Sequence, residues 1–202
     1  MLYDDEEGRI MSSALQPLLR NPAYDGGHER IFNDFFSRRK FAGTKVLEIG
    51  PGQCDVIRMM EAAGATVVAL DNDPAVVALA RKRGYRGIRA DCMTFNWKSL
   101  EGTFDGLFSK GAFNPFWNRE PKAIDDFIDN ICSILKPDGW GWVGPWCNPA
   151  PDNITPSEDY AQRILETQRQ AFKRHGFDSF ELDYTVYKEL FLKNIDLPAP
   201  KK

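Results

Sequence analysis

Val46-Leu47-Glu48-Ile49-Gly50-Pro51-Gly52-Gln53-Cys54 is the stretch that decides how this chain folds. Thr44 to Ile49 is an apolar, β-branched run, which reads as a short buried parallel strand. It breaks at Gly50 and Gly52, and Cys54 to Ala63 follows as an amphipathic segment with Val56, Ile57, Met60 and Ala63 on one face. Strand, glycine turn and helix in that order form the entry to a nucleoside-binding α/β unit. Glycine permits positive φ there and lets backbone approach a ligand where a Cβ would collide.

Several cofactors use such a turn. A dinucleotide fingerprint places a third glycine three residues after the second, and that position is Asp55, a carboxylate that would repel a pyrophosphate at the helix N-terminus. A different spacing fits. Glu48 ends the first strand, Gly50-Pro51-Gly52 turns the chain, and a second strand from Thr66 to Leu70 ends in Asp71. This resembles the class I S-adenosylmethionine (SAM)-dependent methyltransferases, whose first motif is E/D-x-G-x-G-x-G, with Cys54 standing here at the third glycine.

The resemblance runs on in order. The third strand, Gly87 to Ala90, ends in Asp91-Cys92-Met93, and the fourth is Phe104-Asp105-Gly106-Leu107-Phe108-Ser109. A helix with clean periodicity follows (Ile124, Phe127, Ile128, Ile131, Ile134, Leu135), and Leu135-Lys136-Pro137-Asp138-Gly139-Trp140 is similar to the family's turn into strand five. The resemblance covers about residues 44–145. It implies a doubly wound α/β fold with a seven-stranded, mostly parallel sheet, a terminal antiparallel strand and an N-terminal helical lid. It also implies cofactor-binding roles. Glu48 would serve the amino-acid end of SAM, with Gly50 and Gly52 at its backbone. Asp71 would take both ribose hydroxyls, beside Asn72. Asp91 and the Cys92 amide would meet the adenine, and Ser109 completes the set. Asp73-Pro74 reads instead as a helix cap with proline at the first helical position.

Three segments are expected: 1–43 as the lid, 44–195 as the SAM-binding domain and 196–202 as a frayed tail. Helices are expected around Arg9–Arg20 and His28–Arg39, with no fixed structure over 1–8. Between the two helices, Tyr24, Asp25 and His28 flank Gly26-Gly27. Tyr24 is a candidate acceptor contact. Asp25 and His28 are candidate bases, or simply residues of a loop near a helix start.

Acceptors should bind beyond the carboxyl ends of the parallel strands. After strand four come Ser109-Lys110-Gly111-Ala112-Phe113-Asn114-Pro115-Phe116-Trp117. Phe113 and Trp117 could form an aromatic wall, and Lys110 is a candidate catalytic cation; packing onto the sheet is the plainer reading of the aromatics. Asn114-Pro115-Phe116-Trp117 looks like the N-P-P-Y motif of planar-amine methylation, but it lies four residues too late. After strand five, the proline-rich stretch Gly144 to Pro151 offers Trp146 and Asn148 as acceptor contacts. The helix from Ser157 to Arg174 should end at His175-Gly176, and Phe180–Tyr187 with Glu189–Leu192 should form the last two strands.

The chain has 202 residues, 26 Lys and Arg against 29 Asp and Glu, and a net charge of −3. That fits one α/β domain with a small appendage, and no basic block marks a nucleic-acid surface. Four scattered cysteines without C-x-x-C spacing argue against structural zinc and for a reducing, cytoplasmic setting. No apolar run has membrane length, and Asp4 to Glu7 is unlike a signal peptide. The expected function is methyl transfer to an O, N or S atom of a small molecule, with no nucleic-acid or membrane partner and a homodimer left open. The alternatives are a SAM-utilising non-methyl transferase or lyase, and a non-catalytic SAM-binding regulator.

Overall fold

The computed structural model describes residues 2–4, 10–12, 27–112, 120–146, 158–183 and 188–195. Strands β1 (Leu2–Asp4) and β2 (Ile10–Ser12) pair antiparallel with Leu2 opposite Ser12. This corrects two expectations, the unstructured 1–8 segment and a helix beginning near Arg9. Tyr3 and Ile10 carry strand preference, which wins over a helical spacing that local sequence supports only weakly. Helix α1 (Gly27–Ile31) continues as a π-helical turn over Phe32–Phe36, three residues short of the expected end at Arg39. Its aromatics explain its seat: the Phe36 ring lies 5.1 Å from Trp140 and 6.0 Å from both Phe41 and Phe108.

The central sheet has seven strands: β3 (Lys45–Ile49), β4 (Thr66–Asp71), β5 (Arg86–Arg89), β6 (Phe104–Ser109), β7 (Leu135–Trp146), β8 (Asp178–Asp183) and β9 (Lys188–Lys193). Their spatial order is β5-β4-β3-β6-β7-β9-β8. All pairs are parallel except those of β9, which runs antiparallel to both β7 and β8. Helices α2 (Asp55–Ala62), α3 (Pro74–Lys82), α4 (Pro121–Ser133) and α5 (Glu158–Arg174) make the crossovers, with a 3-10 turn at Trp97–Leu100.

Both sheet faces are covered, so the central strands β3, β4 and β6 bury apolar residues on both faces rather than alternating with polar ones. Leu47, Ile49, Leu107, Val143 and Phe191 face α4 and α5, in one core with Ile128 and Leu165. Val46, Val67, Phe108, Trp140 and Trp142 face α1 and α2, in a second core with Ile57 and Met60. Two glycines make room for the rings. A Cβ at Gly106 would stand 2.1 Å from the Trp140 indole, and one at Gly141 2.3 Å from the Phe177 ring. The expected turn at Leu135–Trp140 is present, absorbed within β7: Leu135 pairs with Phe104 and Trp140 with Gly106, so 136–139 loop out of register. At the lower edge Asp105 accepts from the Lys45 amide at 2.8 Å and from Lys136 Nζ at 2.7 Å, which makes it a structural carboxylate.

Strands β8 and β9 realise the expected final pair, and the residues expected to continue strand six, 184–187, lie outside the described residues, as does the tail 196–202. Among the described residues no helix is long and apolar enough to cross a membrane, and none gather as a metal-holding cluster.

Candidate functional site

The strand order reverses between β3 and β6, and the crevice beyond their carboxyl ends is where an open α/β sheet binds its ligand. The loop there is built on positive φ: Gly50 at 70°, Gly52 at 49° and Cys54 at 58°. Gly50 donates its amide to Leu70 O at 2.9 Å, locking the loop onto the next strand. A Cβ at Gly50 would stand 2.4 Å from Ala112 Cβ, whereas nothing lies within 4 Å of one built at Gly52. Gly50 is therefore required by packing against the loop after β6. Gly52 faces open space that a Cβ would occupy, as a backbone cradle does. Cys54 holds the family's third-glycine conformation without being glycine. Its side chain is fully buried, its Sγ is 3.9 Å from Gly52 O, and burial pushes its thiol up to about 12.

Glu48 lies one residue before the strand end, on the α2 face, and is 3% exposed. Burial first, and then the charge of Asp55, pushes its carboxyl well above the ordinary value; the Ile57 amide bond and the Lys110 ammonium pull in the other direction. Its Oε2 has no hydrogen-bond partner among the described residues. Leaving such an atom dry costs about 1–3 kcal/mol. A donor from a bound ligand would remove that cost, which suits an ammonium. Asp71, at the end of β4, accepts the Asp73 amide at 2.9 Å, and burial raises its carboxyl despite that bond. Asn72 beside it is exposed. Asp73 caps α3 through Ala75 N at 2.8 Å, with Pro74 at the first helical position. At the end of β5, Ala90 N reaches Asp71 O at 2.9 Å, bringing the second and third strand ends together. Asp91 is exposed, and its Oδ1 accepts from Met93 N at 2.8 Å. Cys92 O is held by Trp97 Nε1 at 2.8 Å, and burial lifts the Cys92 thiol to about 11. Orphaned oxygen, glycine cradle and two carboxylates at successive strand ends fit SAM.

Ser109 differs from its expected role. It is fully buried, and its hydroxyl donates to Ile49 O at 3.0 Å, tying β6 to β3 at the switch point. Lys110 follows it, half-buried, close enough to act on Glu48. His28 Nδ1 reaches Asp55 Oδ2 at 3.2 Å, placing α1 against the first turn of α2. Tyr24, Asp25, Phe113, Trp117 and Asn148 lie outside the described residues, and of Trp146 only the backbone pairing with Glu189 is described.

Glu189, with Arg169 and Gln168 of α5, escaped the sequence reading. Arg169 Nε bonds Glu189 Oε1 at 2.6 Å, and its second guanidinium nitrogen contacts the same oxygen. Glu189 Oε2 and Gln168 Oε1 are both buried and without hydrogen-bond partners among the described residues. A signal was present: in Glu189-Leu190-Phe191-Leu192 the period of two puts a carboxylate on the face that Phe191 buries.

Residues 46–139 match a family model described as a methyltransferase domain. Comparison with curated protein sequences finds no match. Among solved structures, the PH0226 protein of Pyrococcus horikoshii OT3 superposes with a TM-score of 0.56 at 14% identity, over 92% of this chain and 88% of that one. An S-adenosylmethionine-dependent methyltransferase of Mesorhizobium loti does so with 0.54 at 17%, over 76% and 91%. At these identities the likeness speaks for the fold.

Proposed function

We propose that this chain, whose residues 46–139 match a methyltransferase domain, is a class I SAM-dependent methyltransferase that methylates a small-molecule acceptor at an O, N or S atom by in-line displacement. The observation that carries this reading is the Gly50–Cys54 loop at the switch point, three positive-φ residues with open space at Gly52, facing the Asp71 carboxylate on the neighbouring strand end. Glu48 would hold the amino-acid end of SAM, Asp71 and Asn72 the ribose, and Asp91 with the Cys92 amide the adenine. SAM supplies an electrophilic methyl group on its sulfonium.

The protein's task is then alignment and exclusion of water, worth several kcal/mol at such a step. Lys110, at the exit of β6, would stabilise an anionic acceptor or lower the pKa of a phenol. His28 has Nδ1 engaged with Asp55, which leaves Nε2 as the nitrogen to take an acceptor proton. Asp25 shares the base role, and Tyr24, Phe113, Trp117, Trp146 and Asn148 would line the acceptor. The acidic balance supports a small acceptor over nucleic acid, and the free, scattered cysteines support a cytoplasmic setting.

Calorimetric titration with SAM, S-adenosylhomocysteine and NAD tests the cofactor. Micromolar binding of the two thio-nucleosides alone is expected; a folded protein that binds neither overturns the reading. Release of S-adenosylhomocysteine with an acceptor then separates enzyme from binder, and methylthioadenosine would indicate aminopropyl transfer instead.

A further inference from the structure

The register across the sheet locates Glu189. Ile49 pairs with Ser109, Ser109 with Val143 and Val143 with Phe191, so these four form the last complete row at the carboxyl edge. β9 runs the other way, and Glu189 therefore lies two residues past that row, roughly 7 Å beyond it at about 3.3 Å per residue. It shares the face of Phe191, since Arg169 of α5 bonds it. A carboxylate thus stands past the carboxyl edge of the sheet, on the α4–α5 face, beyond the ends of β6 and β7.

That carboxylate is half used. Arg169 Nε and its second guanidinium nitrogen both reach Oε1, while Oε2 is buried with no hydrogen-bond partner among the described residues, on a residue only 2% exposed. A pair built only to fasten α5 to the sheet would present both oxygens to the guanidinium fork, which suits carboxylate geometry. The adjacent α5 residue, Gln168, is 1% exposed with Oε1 likewise unpartnered. Both orphans accept hydrogen bonds, so both call for a donor. A carboxylate oxygen removed from water is best matched by an N–H carrying positive charge.

We infer that Glu189 is a substrate-binding residue, its Oε2 receiving the N–H of an amine-bearing acceptor held beyond the ends of β6 and β7. The assignment rests on the methyltransferase reading for the chemistry after binding, but the contact itself is independent of it. No covalent step is assigned to Glu189: it orients the acceptor, while Arg169 holds the carboxylate in place.

The test uses the full chain saturated with S-adenosylhomocysteine and two probes, benzylamine and benzyl methyl ether, which keeps the ring and has no donor. Calorimetry should show benzylamine binding at least roughly tenfold more tightly than the ether. Glu189→Gln turns the unpartnered acceptor into an amide donor when its oxygen stays on Arg169. It should lower benzylamine affinity at least roughly tenfold with S-adenosylhomocysteine affinity unchanged, and lower the melting temperature because Arg169 loses its counter-charge. Equal binding of the two probes, no benzylamine binding to wild type, or a folded variant that binds benzylamine as wild type does would each overturn the assignment. If the variant does not fold, the wild-type comparison decides alone. Failure of S-adenosylhomocysteine to bind counts against the cofactor reading only, and benzylamine titrated into the cofactor-free protein then reads the Glu189 contact by itself.

Discussion

His28 Nδ1 lies 3.2 Å from Asp55 Oδ2, joining α1 to the first turn of the helix that follows the glycine loop. The His28 hydrogen bond holds the Asp55 carboxyl below its ordinary value of 3.8 against the opposing effect of burial, with help from the charges of His28, Arg58 and Arg83. A depressed carboxyl contributes stability in full above its unfolded value and loses it as pH falls through the folded one. Melting temperature should therefore fall more steeply for wild type than for Asp55→Asn between about pH 5 and about pH 3. Parallel acid limbs would show that this contact adds nothing.

The two loop glycines should fail differently when given a methyl group. At Gly50 the new Cβ meets Ala112 Cβ at 2.4 Å and φ is 70°. Overlap and left-handed strain together should cost about 2–4 kcal/mol, read as a lower melting temperature. At Gly52 φ is 49° and the space is open, so Gly52→Ala should lose only about 1–2 kcal/mol. Its SAM affinity should nevertheless fall by at least roughly tenfold in calorimetry, because the methyl group would stand where the proposed cofactor site lies.

Glu48→Gln should separate stability from binding. Burial, then the Asp55 charge, raises the Glu48 carboxyl well above 4.5, so the folded state holds this proton more tightly than the unfolded chain. Its contribution is fully present below the unfolded value and is lost as pH rises through the folded one. At neutral pH the neutral amide should raise the melting temperature of the ligand-free protein and weaken SAM binding. A variant less stable than wild type at neutral pH would contradict the buried, unpartnered oxygen.

Burial should also silence the described thiols. Cys54 is raised to about 12, Cys92 to about 11 and Cys132 further still, with burial the leading cause in each. In a Cys147→Ser background, thiol reagents at about pH 8 should label these three only after unfolding. Prompt reaction of the native protein would show that one of them is exposed.

The glycine loop and the strand ends beside it were legible because their determinants are local. A strand, a glycine turn and a terminal acid follow each other in the chain, and the same logic repeats at Asp71 and Asp91. Ser109 shows where local reading stops: a hydroxyl at a strand end can face a ligand or the next strand's carbonyl, and the register with Ile49 gives it the carbonyl. Glu189 was missed for a related reason. Its significance depends on β9 running antiparallel between β7 and β8, which carries a residue near the start of the last strand to the rim. The helix expected near Arg9 failed because a short segment's spacing cannot outweigh a strand pairing seen only in the fold.

The place of β9 also orders the birth of the molecule. As the chain is synthesised from its N-terminus, β3 to β7 can assemble as a five-stranded parallel sheet, but β8 has no neighbour until β9 exists. The edge of β7 stays open through the making of α5 and β8, a ready template for pairing with another chain. Phe191, which completes the core beneath α5 by stacking on Phe172 at 4.3 Å, arrives only with that last strand. A ribosome stalled before residue 188 would hold a sheet with an unguarded flank, closed only when β9 pairs with β7.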